Sequence, residues 1–398
     1  MVPPVTQDTL VPLLVRRECF GPDARLARRR SEEPVAPTTL PWGETAWLVT
    51  RYDEVRAVMG DSARFANSHP LTTREDRSGS VSSAGSGLLG AYDPPEHTVL
   101  RRMLSPEFTV KRLQRLRPRI EEIVTDHLDA MERSGPPADL VEAFSLPIPS
   151  LVICELLGVP YEDRADFQRR SARRLDMSLG VEERIAAVEE ARAYMAGLVE
   201  RERRAPGEGL IGMLVREHGD SLTDRELTGV SDLLLLAGHE TTANMLALGV
   251  MLLLLRPDQA ALMRDDAHVD GGVEELLRYL SVVHSGLPRI AQVDVVLGGR
   301  EIKAGDLVVC SLPTANRDER LGPGMDDFDV TRKAFGHLAF GHGIHHCLGA
   351  PLARIEMRIA YPALLRRLPG LRLAVPYEDV PFRSSSAVFG VDALPVAW

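Results

Sequence analysis

Apolar positions along most of the chain recur at spacings of three and four, the signature of helices that bury one face. "TDRE" (223–226) has the form of a capping box, in which Thr and a Glu three residues on satisfy the free N–H groups of a helix start. From there the pattern predicts one helix running to Arg256 and stopped by Pro257. At about 1.5 Å per residue it is about 50 Å long, so it must cross the whole core. Further helices are predicted over much of 106–133 and of 150–204, with breaks near Pro160 and Gly180. Others cover "VEELLRYL" (273–280) and the stretch from Cys347 to about Arg367. Pro362 falls inside the last one, where a lost hydrogen bond predicts a kink near Arg358. "DPPEHTVLRRML" opens a shorter helix, with Asp93 as the expected N-cap and Pro94 at the first position. Alternation replaces helical spacing in "RIAQVDVVLGGREIKAGDLVVC" (289–310), where Gly298-Gly299 marks a hairpin. The Gly/Ser-rich stretch 78–90 reads as a mobile loop. No repeat or low-complexity linker divides the chain. These patterns predict a mainly α protein with small β-sheets and a long central helix.

Composition narrows the class. Length alone, at 398 residues, suggests two or three domains. Hydrophobic residues at 44% and charged residues at 26% are ordinary for a soluble protein. A net charge of -10 argues against nucleic acid as the main partner, which wants a basic face. Cys19, Cys154, Cys310 and Cys347 lie far apart, without a disulfide framework, which suits a reducing cytoplasm. The first twenty residues lack the basic start of a signal peptide. The longest apolar run, 246–255, is half of the roughly twenty residues that a membrane span needs. A cytoplasmic monomer with no membrane segment is expected.

The chemistry concentrates in "AFGHGIHHCLGAPLAR" (339–354). Its glycines let backbone approach a flat ligand closely. A helix start just after Cys347 offers free N–H groups and a positive dipole end to a thiolate. Such a thiolate can ligate haem iron. Two other readings stand beside this one: an ordinary buried cysteine, and a zinc site using His342, His345 or His346 with Cys347. Adjacent histidines diverge, however, and no second ligand cluster stands out.

F-G-x-G-x-H-x-C-x-G, matched at every specified position from Phe340 to Gly349, resembles the haem-binding loop of the cytochrome P450 family. Three further motifs follow the family's order, and the likeness spans essentially the whole chain. It implies one folded domain, 1–398, in place of the two or three suggested by length, with the central helix crossing over haem b. Cys347 matches the proximal iron ligand, framed by Phe340, Gly341 and Gly349. Glu275 and Arg278 share one helix face; they resemble the family's ExxR pair, completed by Arg332, whose role is to hold the cysteine loop. "AGHETT" (237–242) combines a poor helix former, Gly238, with side chains that compete for backbone hydrogen bonds. It resembles the oxygen-binding groove, with Glu240 and Thr241 at the acid–alcohol pair that delivers protons for dioxygen cleavage. His97 and Arg101 resemble the haem-propionate clamp, joined by Arg289 and His345, where cations neutralise two carboxylates.

By the same likeness the substrate pocket is walled by Leu88 and Leu89, by Leu236 and Ala237, by Val282, Val283, His284 and Leu287, and by Ala387 and Val388. That lining suits a large, mostly apolar molecule with a few polar groups. The chain looks closest to the soluble bacterial branch that tailors macrolides and other secondary metabolites; xenobiotic or steroid hydroxylation is the alternative. The implied activity is a haem-thiolate monooxygenase using O2. Electrons must come from outside, from a ferredoxin and its reductase. "KRLQRLRPR" (111–119), with Arg102 and Arg354, could form the basic face on which an acidic ferredoxin docks. A non-haem zinc protein, and a haem protein without oxygenase activity or driven by peroxide, are the competing classes. The Glu240–Thr241 pair argues against the last two.

Overall fold

A computed structural model describes residues 13–15, 17–39, 45–67, 89–160, 163–176, 179–333, 335–383 and 386–398. Leu88 and most of the Gly/Ser-rich stretch lie outside them.

The central helix is Asp224–Leu254, 31 residues and about 46 Å long. Its capping box forms as the sequence predicts: Glu226 N–H donates to Thr223 Oγ1 (3.3 Å) and Thr223 N–H to Glu226 Oε2 (2.8 Å). By length and composition this helix would suffice to cross a bilayer, but 67% of its most apolar window is buried inside the protein. It packs against Pro147–Leu157, Val181–Arg204, Asp266–Leu280 and Ala350–Arg367. Two glycines set how near the neighbours come. A Cβ at Gly238 would lie 2.7 Å from Ile153 Cδ1. A Cβ at Gly249 would fall on the hydroxyl of Tyr361, which donates to Met245 O at 2.5 Å. Pro362, the next residue, sits inside the helix Ala350–Arg367 without ending it.

The segment 106–134 condenses into short turns and the helix Arg117–Ser134. The segment 147–204 forms Pro147–Leu157, Arg164–Leu175 and Val181–Arg204, the first stopped by Gly158 in the left-handed region at φ 82°. The helix after the prolines is Glu96–Leu104, and here the sequence expectation fails. Pro95, not Asp93, is its N-cap residue. The Asp93 carboxylate instead accepts the Asn67 N–H (2.9 and 3.1 Å), tying the helix entry to the strand Phe65–Ala66.

Strands are short. Five form one sheet in the order Val35–Thr39, Thr45–Val49, Leu307–Cys310, Leu287–Ala291, Phe65–Ala66, with only the second and third parallel. Val295–Leu297 and Arg300–Ile302 make the expected hairpin, its turn glycines at φ 54° and 76°. Near the C-terminus, bridges Phe382↔Val391 and Val283↔Val388 bring the last residues beside the segment that follows Leu280. One large apolar cluster joins the helices, and a second joins the sheet to Met59 and Leu338.

Gly249→Ala should therefore cost about 1–3 kcal/mol, the usual penalty for a methyl forced into a filled space. Thermal unfolding of the variant checks it, and an unchanged melting temperature would mean that the two helices can part freely.

Candidate functional site

Glu275 and Arg278, on the helix Asp266–Leu280, form a fully buried bidentate pair, Nε to Oε2 and Nη2 to Oε1, both 2.7 Å. Arg278 also donates to the carbonyls of Asn316 (3.0 Å), Met325 (2.7 Å) and Asp327 (2.9 Å). Arg332 Nε donates to Glu275 Oε1 at 3.2 Å, as the ExxR resemblance implied. The network reaches the cysteine loop through Asn316, whose Oδ1 accepts the Leu338 N–H at 2.7 Å. A second anchor escaped sequence reading. Glu274, beside Glu275, takes a bidentate pair from Arg354 (2.7 and 2.8 Å) and a contact from His337 Nε2 (3.1 Å). Arg354 in turn lies over the Phe340 ring, 4.6 Å from its centroid. Those partners pull the Glu274 carboxyl down to about 2 against the opposing effect of burial.

The loop these anchors hold is tight. Gly341 and Gly343 have φ of 74° and 73°. A Cβ at Gly343 would also strike the backbone of Met59 and Gly60, so this glycine serves loop-to-helix contact. Cys347 N–H donates to Phe340 O at 2.8 Å, and the helix Ala350–Arg367 starts just beyond. Cys347 has exposed surface, yet protein surrounds the thiol and burial pushes its pKa up. The N–H groups of Gly349 and Ala350 and the charges of Arg101 and Arg354 pull the other way, and burial wins. A cation bound at the sulfur would tip this balance to thiolate outright.

Basic side chains gather on the same side. His97 on the helix Glu96–Leu104 and His345 in the cysteine loop have ring centroids 4.3 Å apart. Burial first, then the charges of His97 and Arg289, hold His345 down to about 4. His97 is lowered by burial and by Arg101, and Arg289, on the strand Leu287–Ala291, is lowered by burial. Both ring nitrogens of His97 are buried with no hydrogen-bond partner among the described residues. Asn67 Nδ2, another residue sequence reading missed, lies 3.3 Å from His345 Nε2. Four basic groups, only partly offset by the Asp93 carboxylate and including a histidine without a partner, suit an anion. The donor set fits haem b, a thiol for iron and basic groups for two propionates. Among the described residues no three His, Cys, Asp or Glu side chains converge as zinc would need.

The central helix is buried along most of its length, but Leu233, Leu234, Leu236, Gly238 and Thr241 are partly exposed, and Ala237 is exposed. Spaced at three and four, most of them form one stripe on the helix. Thr241 Oγ1 donates to Ala237 O at 2.8 Å. Glu240 is buried and is engaged elsewhere: Arg383 Nη1 donates to its Oε2 at 3.0 Å, Asn244 Nδ2 to its backbone O at 2.8 Å, and His239 Nε2 lies 3.6 Å from Oε1. Burial favours the protonated acid, but His239 and Arg383 outweigh it and hold the carboxyl below its ordinary value. The acid and the alcohol, adjacent in sequence, are thus directed to different partners.

The pocket residues divide. Leu236 and Ala237 lie on the open stripe, and Leu287, Val283 and Ala387 are half-buried, while Leu89, Val282 and Val388 are buried. His284 is not a polar group offered to a substrate. It is 1% exposed, its Nδ1 accepts from Arg17 Nε (3.2 Å), and its Nε2 faces Ser386 O (2.9 Å). Burial and Arg17 hold it neutral, down to about 3, so it ties the chain start to the last turn. The basic run also thins out. Arg354 belongs to Glu274, and Arg112, Arg117 and Arg119 pair with Glu107, Glu121 and Glu122. Arg102, Lys111 and Arg115 remain without an ion pair among the described residues and stand exposed, beside the exposed Val110.

Comparison with known proteins agrees with this geometry. The profile of the family described as cytochrome P450 matches residues 181–369. Cytochrome P450 FAS1 of Rhodococcoides fascians is 47% identical over 394 residues, 98% of each chain. Among solved structures, P450 StaH from glycopeptide antibiotic A47934 biosynthesis superposes with a TM-score of 0.87 at 47% identity, covering 98% of this chain and 100% of that one. CYP105P1 in complex with filipin I gives a TM-score of 0.90 at 43% identity, covering 96% and 97%.

The Glu274 anchor has a pH signature. A carboxyl held at about 2 rather than at its ordinary 4.5 contributes stability that is fully present above 4.5 and is lost as pH falls through about 2. Glu274→Gln should be less stable than the parent at neutral pH and converge on it near pH 2, read as denaturation midpoint against pH. Parallel curves for the two proteins would remove the anchor.

Proposed function

Because the chain belongs to the cytochrome P450 family, whose members are monooxygenases that bind haem b, we propose that Cys347 holds the haem iron and that His97, Arg101, Arg289 and His345 hold its propionates. The observation that carries this is His97, whose two ring nitrogens are buried without a partner among the described residues and whose ring lies 4.3 Å from that of His345 in the cysteine loop. Glu275, Arg278 and Arg332 serve the loop and not the chemistry. We take residues 1–398 as a single domain, since the large apolar cluster runs from Phe20 to Val396.

Haem b, when bound, supplies activation of dioxygen and insertion of one oxygen atom into the substrate. The chain's own residues do the rest. The stripe Leu236, Ala237 and Thr241 forms the wall on which substrate and dioxygen meet the helix. The Thr241 hydroxyl, half exposed and donating to Ala237 O, can pass a proton from one side of Oγ1 to the other. Glu240, ionised at rest, can resupply that hydroxyl only after it has itself taken up a proton. With His284 withdrawn into the protein, the wall is more apolar than the sequence suggested. A large apolar secondary metabolite fits it. StaH comes from an antibiotic pathway and CYP105P1 was solved with filipin I, which supports a role in tailoring such a product. Electrons would come from a ferredoxin and its reductase, docking at the exposed Arg102, Lys111 and Arg115. Four free cysteines suit a cytoplasmic setting.

The reduced protein with carbon monoxide should show the red-shifted Soret band of thiolate-ligated haem, and Cys347→Ala should abolish it. Retention of that band in the variant would sink the ligand assignment, whereas Cys19, Cys154 and Cys310 should be replaceable with little spectral change.

Thr241→Ala should leave haem content and ligand binding intact while diverting reducing equivalents to peroxide. The ratio of product to NAD(P)H consumed, with peroxide assayed in parallel, measures this. Coupling at the parent level would pass the relay role to another hydroxyl.

A further inference from the structure

Arg17, on the short strand Arg17–Glu18, spreads its guanidinium behind two segments that reach the proposed pocket. Nη2 donates to Ser281 O at 2.9 Å, Nε to His284 Nδ1 at 3.2 Å and Nη1 to Phe20 O at 3.4 Å. The guanidinium carbon lies over the Phe389 ring, 4.5 Å from its centroid. Among the described residues Arg17 has no carboxylate partner; it engages backbone, an imidazole and an aromatic ring. An arginine offers donors only, so His284 Nδ1 must accept. The proton of the neutral ring then sits on Nε2, which donates to Ser386 O at 2.9 Å. The next N–H along the chain, that of Ala387, donates to Leu175 O at 3.1 Å, at the end of the helix Arg164–Leu175. The Ser386 C=O and the Ala387 N–H belong to one planar peptide unit, which is thus held on both sides. Val388 N–H donates to Ser386 Oγ at 3.2 Å, Val388 bridges Val283, and Phe389 N–H donates to Val282 O at 2.8 Å. Successive residues of extended chain face opposite ways: Val283 is partly exposed, whereas His284 is turned into the protein.

We propose that Arg17 and His284 are specificity-determining positioning residues, which fix the Ser386–Ala387 peptide from behind and so set how far Ala387 and Val388 stand into the substrate pocket. This rests on the reading of Val283, Ala387 and Val388 as pocket wall. A peptide unit bonded at its N–H alone can pivot about that bond. Bonded at its C=O as well, it has one tilt, and that tilt aims the Ala387 side chain. His284 supplies the second bond, and Arg17 decides which ring nitrogen supplies it. Protonation of Nδ1 would set two donors face to face, so the ring keeps one tautomer and one orientation. Ser281 and Phe389, engaged by the same guanidinium, flank the two wall segments, so both move as one piece with the strand Arg17–Glu18. The substrate meets neither Arg17 nor His284. Their effect is on shape, and in an apolar pocket a wall displaced by about one methyl group changes affinity about ten-fold or more.

The test titrates the haem-loaded enzyme with imidazole and with 4-phenylimidazole, both of which ligate haem iron and shift the Soret band. Imidazole needs little beyond the iron, whereas the phenyl ring must also fit between the pocket walls. His284→Leu keeps bulk without hydrogen bonds, and Arg17→Met keeps length without donors. Each should weaken 4-phenylimidazole about ten-fold and leave imidazole unchanged, because a wall free to pivot packs poorly on the ring. His284→Gln, whose amide sets an acceptor beside a donor, should restore the parent ratio of the two affinities. The parent ratio in His284→Leu or Arg17→Met would overturn the proposal, as would equal loss of both ligands. Failure of His284→Gln to restore the ratio would overturn it too, tracing the effect to lost packing. A second measurement needs no variant: nitrogen NMR of histidine-labelled parent protein should show His284 as the Nε2–H tautomer, unchanged between about pH 5 and 8. A titrating ring or the Nδ1–H tautomer would remove the Arg17 bond and the proposal with it. The carbon monoxide spectrum of the parent separates the two levels: its failure would refute the haem reading and leave the NMR result on His284 standing.

Discussion

Burying Glu275 and Arg278 together is the constraint on which the rest of the molecule is arranged. Each charge loses several kcal/mol of hydration, and the loss is offset only if every donor and lone pair finds a partner. The guanidinium has five N–H groups, and all five are used: three reach the Asn316, Met325 and Asp327 carbonyls and two reach the Glu275 carboxylate. Glu275 spends its remaining capacity on Arg332 and on the Asp329 N–H. To satisfy one ion pair, the backbone between Asn316 and Arg332 must follow one path. That path sets Asn316, and Asn316 sets Leu338 at the entrance of the cysteine loop. The loop's geometry is thus a consequence of desolvation twenty residues upstream and more.

The proposed haem site shows a different condition, basic groups only partly offset by the Asp93 carboxylate. His97, His345, Arg101 and Arg289 depress one another or are depressed by burial, and both nitrogens of His97 lack a partner among the described residues. A fold does not hold such a cluster for its own stability, because repulsion and unmet hydrogen bonds both count against it. Its cost is recovered when an anion arrives. The thiol is poised in the complementary sense, with nearby N–H groups and arginines insufficient to ionise it against burial. A cofactor carrying a cation at its centre and two anions at its rim meets both needs.

What could be read from sequence was local. The capping box at Thr223–Glu226, the Gly298-Gly299 turn, the Glu275–Arg278 pair and the cysteine loop each lie within a few residues, where spacing alone fixes geometry. What could not be read depends on distant partners. Glu274 meets Arg354 across 80 positions, Glu240 meets Arg383 across 143, and His284 meets Arg17 across 267. Charge and spacing give no sign of such pairings, which is why Arg354 read as part of a docking face and His284 as a substrate contact. Asp93 failed for the same reason, since its competing donor, Asn67, comes from another element. One clue was present and went unused: Glu274 and Glu275 are neighbours on a buried helix, and two adjacent carboxylates there each require a cation.

The central helix shows why adjacency in a motif need not mean contact. Successive helical residues point about 100° apart, so Glu240 and Thr241 cannot both face the pocket. The fold gives the open side to the smaller groups, Ala237 and Thr241, and turns the carboxylate inward, where an arginine from the far end of the chain neutralises it. The hydroxyl meets reactants without bringing a charge into an apolar pocket. The acid stays ionised without lying against the substrate. Had both faced the pocket, the carboxylate would have been bare in an apolar cavity and would have held a proton too tightly to release it. Placing acid and alcohol on consecutive residues lets one helix serve two environments.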